Sequence, residues 1–310
     1  MRFSTIFVSA ALTLATLSSS IIQATPVPVR EPGAVIHEAI AADPHSAALV
    51  KRASAGFNNW SCKPSALHPR PLVLVHGLSA NAIDNWFYMA PRFVAKGYCV
   101  FALSYGQLHG IPIVYGLDKM ENSAQQLSDY VDRVLKATNT TQVDILGHSQ
   151  GSIMPRYYLR FLGGAPKVYK FAAIGSIQYG TNILGLVNLL TPLGLYDPIK
   201  AVFDTVCLSC FQFLENSEFI KNLNAGGDTV PDVKYLMITS KLEETVTPYT
   251  NGFLRDKSPN VKNVVLQNDY CSLDVSEHAL QAVDPIVFNA VHAFLTPSAD
   301  QTINCLDALN

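Results

Sequence analysis

The feature that most constrains the fold of this chain is the pentapeptide Gly147-His148-Ser149-Gln150-Gly151, which directly follows the apolar run Val143–Leu146. A G-x-S-x-G sequence between a strand and a helix is typical of a nucleophile elbow, in which a serine sits on a sharp strand-to-helix turn. The two glycines relieve crowding and permit unusual backbone dihedrals there. We predict that Ser149 stands at the top of a sheet. A glycine-rich loop can contain such a motif by chance, so the rest of the chain must support this interpretation.

The rest of the chain alternates short apolar segments with amphipathic ones. The predicted strands are 71–75, 98–103, 143–146, 167–174, 233–239 and 261–266, and the predicted helices are 81–96, 118–137, 152–162 and 276–295. This alternation favours an α/β fold, with a mostly parallel central sheet and helices on both faces. In such sheets the chemistry collects at the carboxyl ends of the strands. His76, Ser149 and the residues after Thr239 and Leu266 fall at such ends.

The amino-terminal segment predicts export. A positive start, an apolar run from Ile6 to Leu17 and a small residue at Ala24 are typical of a signal peptide, and the run is too short to span a membrane. The following Ala/Pro-rich segment ends in Lys51-Arg52, which resembles a kexin-type cleavage site; two solvated basic residues are the alternative. We predict a secreted protein with a signal peptide at 1–24, a propeptide at 25–52 and a catalytic domain at 53–310.

The composition of the chain limits the kinds of partner that we expect for it. The chain has 310 residues, 49% of them hydrophobic, and a formal charge of −2, which suits one sizeable domain with a large core. It contains no basic stripe or charge block, so we expect no nucleic-acid partner. We also expect no integral membrane segment, and a monomer.

Six cysteines lie after the predicted propeptide. An even number of cysteines in a secreted chain favours disulfides. Pairing of near neighbours predicts three bonds, namely Cys62–Cys99, Cys207–Cys210 and Cys271–Cys305. A zinc site is not expected, because no second C-x-x-C or histidine pair accompanies Cys207 and Cys210. Asn59 and Asn139 stand in N-x-S/T sequons and are predicted to carry glycans.

An activated serine needs a base within hydrogen-bond reach and a third group to orient that base. In α/β-hydrolases these residues follow the chain order serine, acid, histidine, so the histidine must come late in the sequence. His292 lies inside a predicted helix, whereas His278 lies at the entry to that helix, after the loop that follows the last strand. We therefore predict His278 as the base for Ser149.

The acid is less well determined by the sequence. Glu243 and Glu244 both follow the strand 233–239, and spacing alone does not choose between them. If both are solvated loop residues, Asp269 or Asp274 remains as the acid.

The oxyanion needs two N–H donors aimed at the developing charge. We predict the N–H groups of Gln150 and Leu78, the second of which lies in the turn after the first strand. His76 is expected to shape that turn, and His148 to be structural.

Four segments together resemble the secreted class 2 triacylglycerol lipases. These segments are the pentapeptide with its continuation Ile153-Met154-Pro155-Arg156-Tyr157-Tyr158, Val73-Leu74-Val75-His76-Gly77, Thr245-Val246-Thr247-Pro248-Tyr249 and Ser276-Glu277-His278. The resemblance extends from about Pro71 to Phe294, and the layout is more distantly similar to yeast lipase B. It implies the α/β-hydrolase fold and places the acid, usually Asp-Glu in the family, on Glu243. Ser152 replaces the family's second glycine after the elbow.

The resemblance implies a lipase that works through an acyl-enzyme, without metal or organic cofactor. The apolar stretch 181–195 is predicted to line an acyl pocket or to meet a lipid surface, with a buried core helix as the alternative; the loop 104–116 is the other candidate wall. The candidate acyl-binding residues are Ile183, Leu184, Leu186, Val187, Leu189 and Leu190. Alternative functions are a carboxylesterase, lactonase or polyester hydrolase acting on short or soluble esters, a serine peptidase, and a non-catalytic binding protein with this fold.

Overall fold

The apolar segments form one parallel sheet of six strands. The structure, a computed structural model, describes residues 56–108, 113–182, 191–296 and 303–306. The strands are β1 (Leu72–Val75), β2 (Val100–Leu103), β3 (Val143–His148), β4 (Val168–Ile174), β5 (Lys234–Thr239) and β6 (Val261–Val265). Their order across the sheet is β2-β1-β3-β4-β5-β6, and each neighbouring pair is parallel. Strands β1 to β3 are buried along their whole length, as expected of a sheet covered on both faces.

Helices cover both faces of this sheet. They are α1 (Met89–Ala95), α2 (Met120–Thr138), α3 (Gln150–Phe161), α4 (Tyr196–Val206), α5 (Glu218–Asn224), α6 (Leu266–Asp269) and α7 (Pro285–Leu295). One hydrophobic cluster joins the sheet to α2 and α3, and a second joins its other face to α1 and α7. Odd-numbered positions of β1, such as Val73 and Val75, enter the first cluster, and Leu72 and Leu74 enter the second.

The strand order places a topological switch point beside β3. The chain passes from β1 outward to β2 and then returns to the other side of β1 as β3. Loops that leave β1 and β3 therefore diverge, and the crevice between them is where open parallel sheets hold their ligands. Leu78 follows β1 and Ser149 follows β3, so both lie at this crevice.

Both edges of the sheet are protected. At the β2 edge, Asn58 donates its backbone N–H to Val100 and its side-chain amide to the Ala102 carbonyl, each at 2.8 Å, and its Oδ1 accepts from Ala102 N–H. Asn58 thus occupies the place of a seventh strand. At the β6 edge, Lys262 and Asn263 are exposed, and polar side chains at an edge discourage pairing with another chain.

Two predicted helices are wrong at their amino ends. The segment predicted as helical from 81 is a series of turns until Met89, because the Asn81 side chain accepts from Ile83 and Asp84 N–H instead. The last helix begins at Pro285, not at 276, since the Asp284 carboxylate caps it and proline suits the first helical position. His278 therefore lies in a loop well before α7. Helices α4, α5 and α6 are not among the predicted helices.

Three disulfides join Cys62 to Cys99, Cys207 to Cys210 and Cys271 to Cys305, which are the pairs that near-neighbour pairing predicts. Within the described ranges, no helix is long and apolar enough to cross a membrane. The predicted signal peptide and propeptide lie outside the described residues, as do the acyl-binding candidates at 183–190.

Candidate active site

Ser149 occupies a strained turn between β3 and α3. Its φ of 54° and ψ of −116° lie outside the regions that residues with a side chain usually adopt. The flanking glycines are required by packing. A Cβ at Gly147 would overlap the Gly151 carbonyl, and a Cβ at Gly151 would overlap the Val75 carbonyl of β1. The elbow therefore folds tightly on itself and against the neighbouring strand, which holds Ser149 at the switch point.

Ser149, His278 and Glu243 form a continuous hydrogen-bonded chain. Ser149 Oγ lies 2.8 Å from His278 Nε2, and His278 Nδ1 lies 2.6 Å from Glu243 Oε1. This arrangement can deprotonate the serine hydroxyl and stabilise the resulting imidazolium. The three residues come from the loops after β3, β5 and β6. Because the strands are parallel, these loops all lie at the same end of the sheet, where the strands have their carboxyl ends.

The carboxylate of Glu243 is itself held in place. Its side chain is fully buried, and Oε1 accepts from the backbone N–H groups of Thr245 and Val246 at 3.3 and 3.2 Å. The side-chain Nε2 of Gln281 donates to Oε2 at 3.4 Å, while the side-chain Oε1 of Gln281 accepts from Gly175 N–H at 2.8 Å. Gln281 is fully buried and belongs to no motif, so no sequence signal could have identified it.

The other candidate acids are engaged elsewhere. Glu244 is exposed, and its Oε2 lies 3.5 Å from the backbone nitrogen of His278 rather than at the imidazole. Asp269 accepts from Val265 N–H at 2.6 Å, and Asp274 accepts from Ser276 N–H at 2.7 Å. The alternative base, His292, lies in α7 and contacts the hydroxyl of Tyr98. Tyr98 precedes β2, so this contact lies at the amino-terminal end of that strand, whereas the site lies at the carboxyl ends of the strands.

The charges around His278 favour its protonated form. Burial opposes the charge, but the hydrogen bond and negative charge of Glu243, with Glu244 and Glu277, raise the pKa of His278 above its usual value. Glu244 is affected in turn. Although its side chain reaches solvent, Glu244 loses part of its hydration in the folded protein. This desolvation, together with the hydrogen bond and charge of Glu277 and the charge of Glu243, raises the pKa of Glu244 to about 7.

The oxyanion candidates, Leu78 and Gln150, meet at the same crevice. Gln150 begins α3, and the N–H groups of a first helical turn have no partner within the helix. The Gly77 carbonyl accepts from His76 Nδ1 at 2.7 Å, and because a trans peptide N–H points opposite to its C=O, this bond aims the N–H of Leu78. His76 Nε2 in turn accepts from Tyr105 N–H, and burial lowers the pKa of His76 to about 4, so the ring stays neutral.

Gly116 supports both oxyanion residues. It comes from the loop after β2 and has a φ of +76°, which favours glycine. A Cβ at this position would come within 3.3 Å of Leu78 Cα and would overlap the side-chain oxygen of Gln150. The described part of the loop 104–116 therefore packs behind the oxyanion turn. No signal in the sequence indicates this contact.

Comparison with known proteins identifies a matching family and similar curated proteins. A family model described as "Lipase (class 2)" matches residues 69–284. A triacylglycerol lipase of Pseudarthrobacter phenanthrenivorans is 31% identical over 145 residues, which cover 44% of this chain and 43% of that protein. A triacylglycerol lipase of Burkholderia plantarii is 31% identical over 145 residues, covering 44% of this chain and 38% of that protein. The chain thus spans less than half the length of these curated relatives.

Solved structures share the fold at lower identity. Aspergillus fumigatus lipase B has a TM-score of 0.60 and 19% identity, with 80% of this chain and 56% of that chain covered. The mature form of Bacillus licheniformis lipase BlEst2 has a TM-score of 0.53 and 17% identity, with 75% of this chain and 94% of that chain covered. The predicted α/β-hydrolase fold and the resemblance to class 2 lipases are confirmed.

Proposed function

Since the chain belongs to the class 2 lipase family, we propose that it is a serine ester hydrolase that cleaves acylglycerols through an acyl-enzyme. The observation that carries the proposal is the hydrogen-bonded chain from Ser149 Oγ through His278 to Glu243, located at the switch point of the sheet. The family match covers the segments that supply all three residues.

The proposed reaction uses groups of this chain alone. Ser149 Oγ attacks the ester carbonyl carbon while His278 Nε2 takes its proton, and Glu243 stabilises the imidazolium. The N–H groups of Leu78 and Gln150 hold the tetrahedral oxyanion. His278 then protonates the alcohol oxygen as the C–O bond breaks. Water, deprotonated by the same histidine, attacks the acyl-enzyme and releases the carboxylic acid and free Ser149.

A lipid ester is the proposed substrate for two reasons. Both curated relatives carry the name triacylglycerol lipase. In addition, Leu273 and Val275, in the loop that carries His278, are exposed apolar side chains. Helix α4, which carries the exposed Val202, ends two residues before Leu208, whose N–H donates to the Leu117 carbonyl next to Gly116. Apolar side chains clustered around a polar site suit contact with acyl chains.

The test is hydrolysis of p-nitrophenyl esters from acetate to palmitate, beside emulsified triolein, by wild type and Ser149→Ala. We expect activity on palmitate and triolein, reduced about 10⁴-fold or more in the variant at an unchanged melting temperature. Activity confined to short chains would keep the serine mechanism and indicate a carboxylesterase. Activity that survives in Ser149→Ala would overturn the proposal, and no esterase activity in the wild type would support a binding protein.

We also propose that the protein is secreted after cleavage near Ala24 and Lys51-Arg52. Three disulfides suit an oxidising compartment, and both sequon asparagines, Asn59 and Asn139, are exposed. Amino-terminal sequencing of the secreted protein is expected to begin at Ala53, and glycosidase treatment is expected to lower its mass. A secreted chain that begins before Lys51 would contradict the propeptide.

A further inference from the structure

His148 lies at the variable position of the elbow pentapeptide and contacts two separate loops of the site. It is buried. Its Nδ1 lies 3.0 Å from Asn85 Oδ1, in the turns after β1, and its Nε2 lies 3.1 Å from the backbone carbonyl oxygen of His278. The elbow residue therefore touches both the segment that follows the oxyanion turn and the loop that carries the base.

Asn85 continues this connection into the oxyanion turn. The same Oδ1 that faces His148 accepts from Gly77 N–H at 2.9 Å, and Gly77 is directly followed by Leu78. Since the Gly77 carbonyl is fixed by His76, the bond from Asn85 fixes the second polar group of the same residue. Leu78 is thereby held in place from the side of His148.

The ring also sets the spacing between the two histidines. The centroids of His148 and His278 are 5.3 Å apart, and both rings pack against the backbone of Gly175. A Cβ at Gly175 would lie 3.1 Å from His278 Nδ1 and 3.2 Å from His148 Cδ2. Because the space between the rings and β4 is full, a change in the position of His148 moves His278 as well.

The protonation state of the His148 ring decides whether its contacts with Asn85 and His278 are hydrogen bonds. Asn85 Oδ1 and the His278 carbonyl oxygen are both acceptors, so each contact needs a proton from His148. Burial, with the nearby charge of His278, lowers the pKa of His148 to about 3, so the ring is neutral and carries a single proton. The single ring proton therefore lies on Nδ1 or on Nε2, so one of the two contacts is a hydrogen bond at a time.

We propose that His148, acting through Asn85, is a positioning residue that fixes the distance between the oxyanion turn and the base. The proposal rests on the ester hydrolase function proposed above. His148 touches no reacting atom; it keeps Leu78 N–H and His278 Nε2 at a fixed separation across Ser149. Misplacement of catalytic groups by about 1 Å lowers turnover by about 100-fold.

The test compares His148→Phe, His148→Gln, Asn85→Ala and the double variant Asn85→Ala/His148→Phe. Phenylalanine keeps a flat ring but removes both polar contacts, so we expect kcat to fall about 10- to 100-fold with KM within about threefold of wild type. Glutamine retains a donor group, its side-chain amide, and is expected to recover part of the loss. Because the two residues act on the same turn, the losses of Asn85→Ala and His148→Phe are expected not to add.

His292→Phe is the matched control. His292 is as buried as His148, but it contacts Tyr98, which precedes β2 at the amino-terminal end of that strand, away from the site. Active-site titration with a fluorophosphonate counts competent sites in every variant, so a lower kcat is separated from a smaller folded fraction. The proposal is overturned if His148→Phe keeps kcat within twofold, if its loss is matched by His292→Phe, or if only the number of titrated sites falls. A wild type that neither labels nor hydrolyses esters overturns the proposed function first, and this inference with it.

Discussion

At the scale of single residues, the two adjacent glutamates have different positions and should have different effects. Glu243 is buried against His278 Nδ1, whereas Glu244 is exposed and reaches only the backbone of that residue. For Glu243→Gln we expect kcat to fall about 10²- to 10⁴-fold, because the imidazolium loses its counter-charge and the ring its tautomer. Glu244→Gln is the control and should stay within about threefold of wild type. Equal losses in steady-state assays would contradict the role proposed for Glu243.

The exposed glutamate should instead act on the pH profile. Glu243, Glu244 and Glu277 together raise the pKa of His278, so the acid limb of kcat/KM, where the base loses its proton, should have its midpoint above pH 6.5. Removing one of these charges in Glu244→Gln lowers the pKa of His278, and the midpoint should shift to lower pH. Rates measured between pH 5 and 9 test this, and an unchanged or raised midpoint would count against it.

The same substitution should change stability in a pH-dependent way. Glu244 has its pKa raised to about 7 in the folded protein, so the folded state binds the proton more tightly than the unfolded chain does. The protonated carboxyl therefore makes a stabilising contribution to the free energy of unfolding. This contribution is fully present below about pH 4.5 and is lost as the pH rises to about 7. Urea unfolding should therefore show Glu244→Gln gaining stability relative to wild type between pH 4.5 and 8. A difference that is independent of pH would contradict this.

At the scale of elements, the loop after β2 supports the oxyanion turn through one glycine. Gly116→Ala places a methyl group against Leu78 Cα and the Gln150 side chain, at a φ of +76°. We expect kcat to fall at least 10-fold, because both proposed oxyanion donors move. Gly163→Ala is a control at a similar φ of +72°, with nothing within 4 Å of the added atom. Comparable losses of kcat in both variants would indicate backbone strain rather than displacement of the oxyanion turn.

The elements themselves divide into those that the sequence could predict and those that it could not. Strands β1 and β2 were predictable because each is a continuous apolar run, and the other four because apolar residues outnumber polar ones in and beside them. The elbow was predictable because its glycines have a steric cause. The starts of α1 and α7 were not predicted because single side chains set them. The Asn81 side chain stabilises a turn ahead of α1, and the Asp284 side chain caps α7 by accepting from Ile286 and Val287 N–H.

The contacts that complete the site were not predictable for another reason. Gln281, Asn85 and Gly116 reach it from three different loops, and their distance along the chain from Ser149 carries no periodic signal. Only the folded arrangement brings them together, whereas Ser149 and His278 were indicated by local motif and chain order.

At the scale of the whole molecule, the sheet depends on a residue far from the site. If cleavage occurs after Arg52, only five residues precede Asn58, whose amide closes the outer edge of β2. The amino terminus of the cleaved chain would then protect this edge from pairing with another copy. In Asn58→Ala the Ala102 N–H loses its partner, and in a protein shortened through Asn58 the Val100 carbonyl loses its partner as well, so that another copy can pair with the edge of β2. Light scattering during storage at high concentration should show growing oligomers for those forms, while the full mature chain stays small.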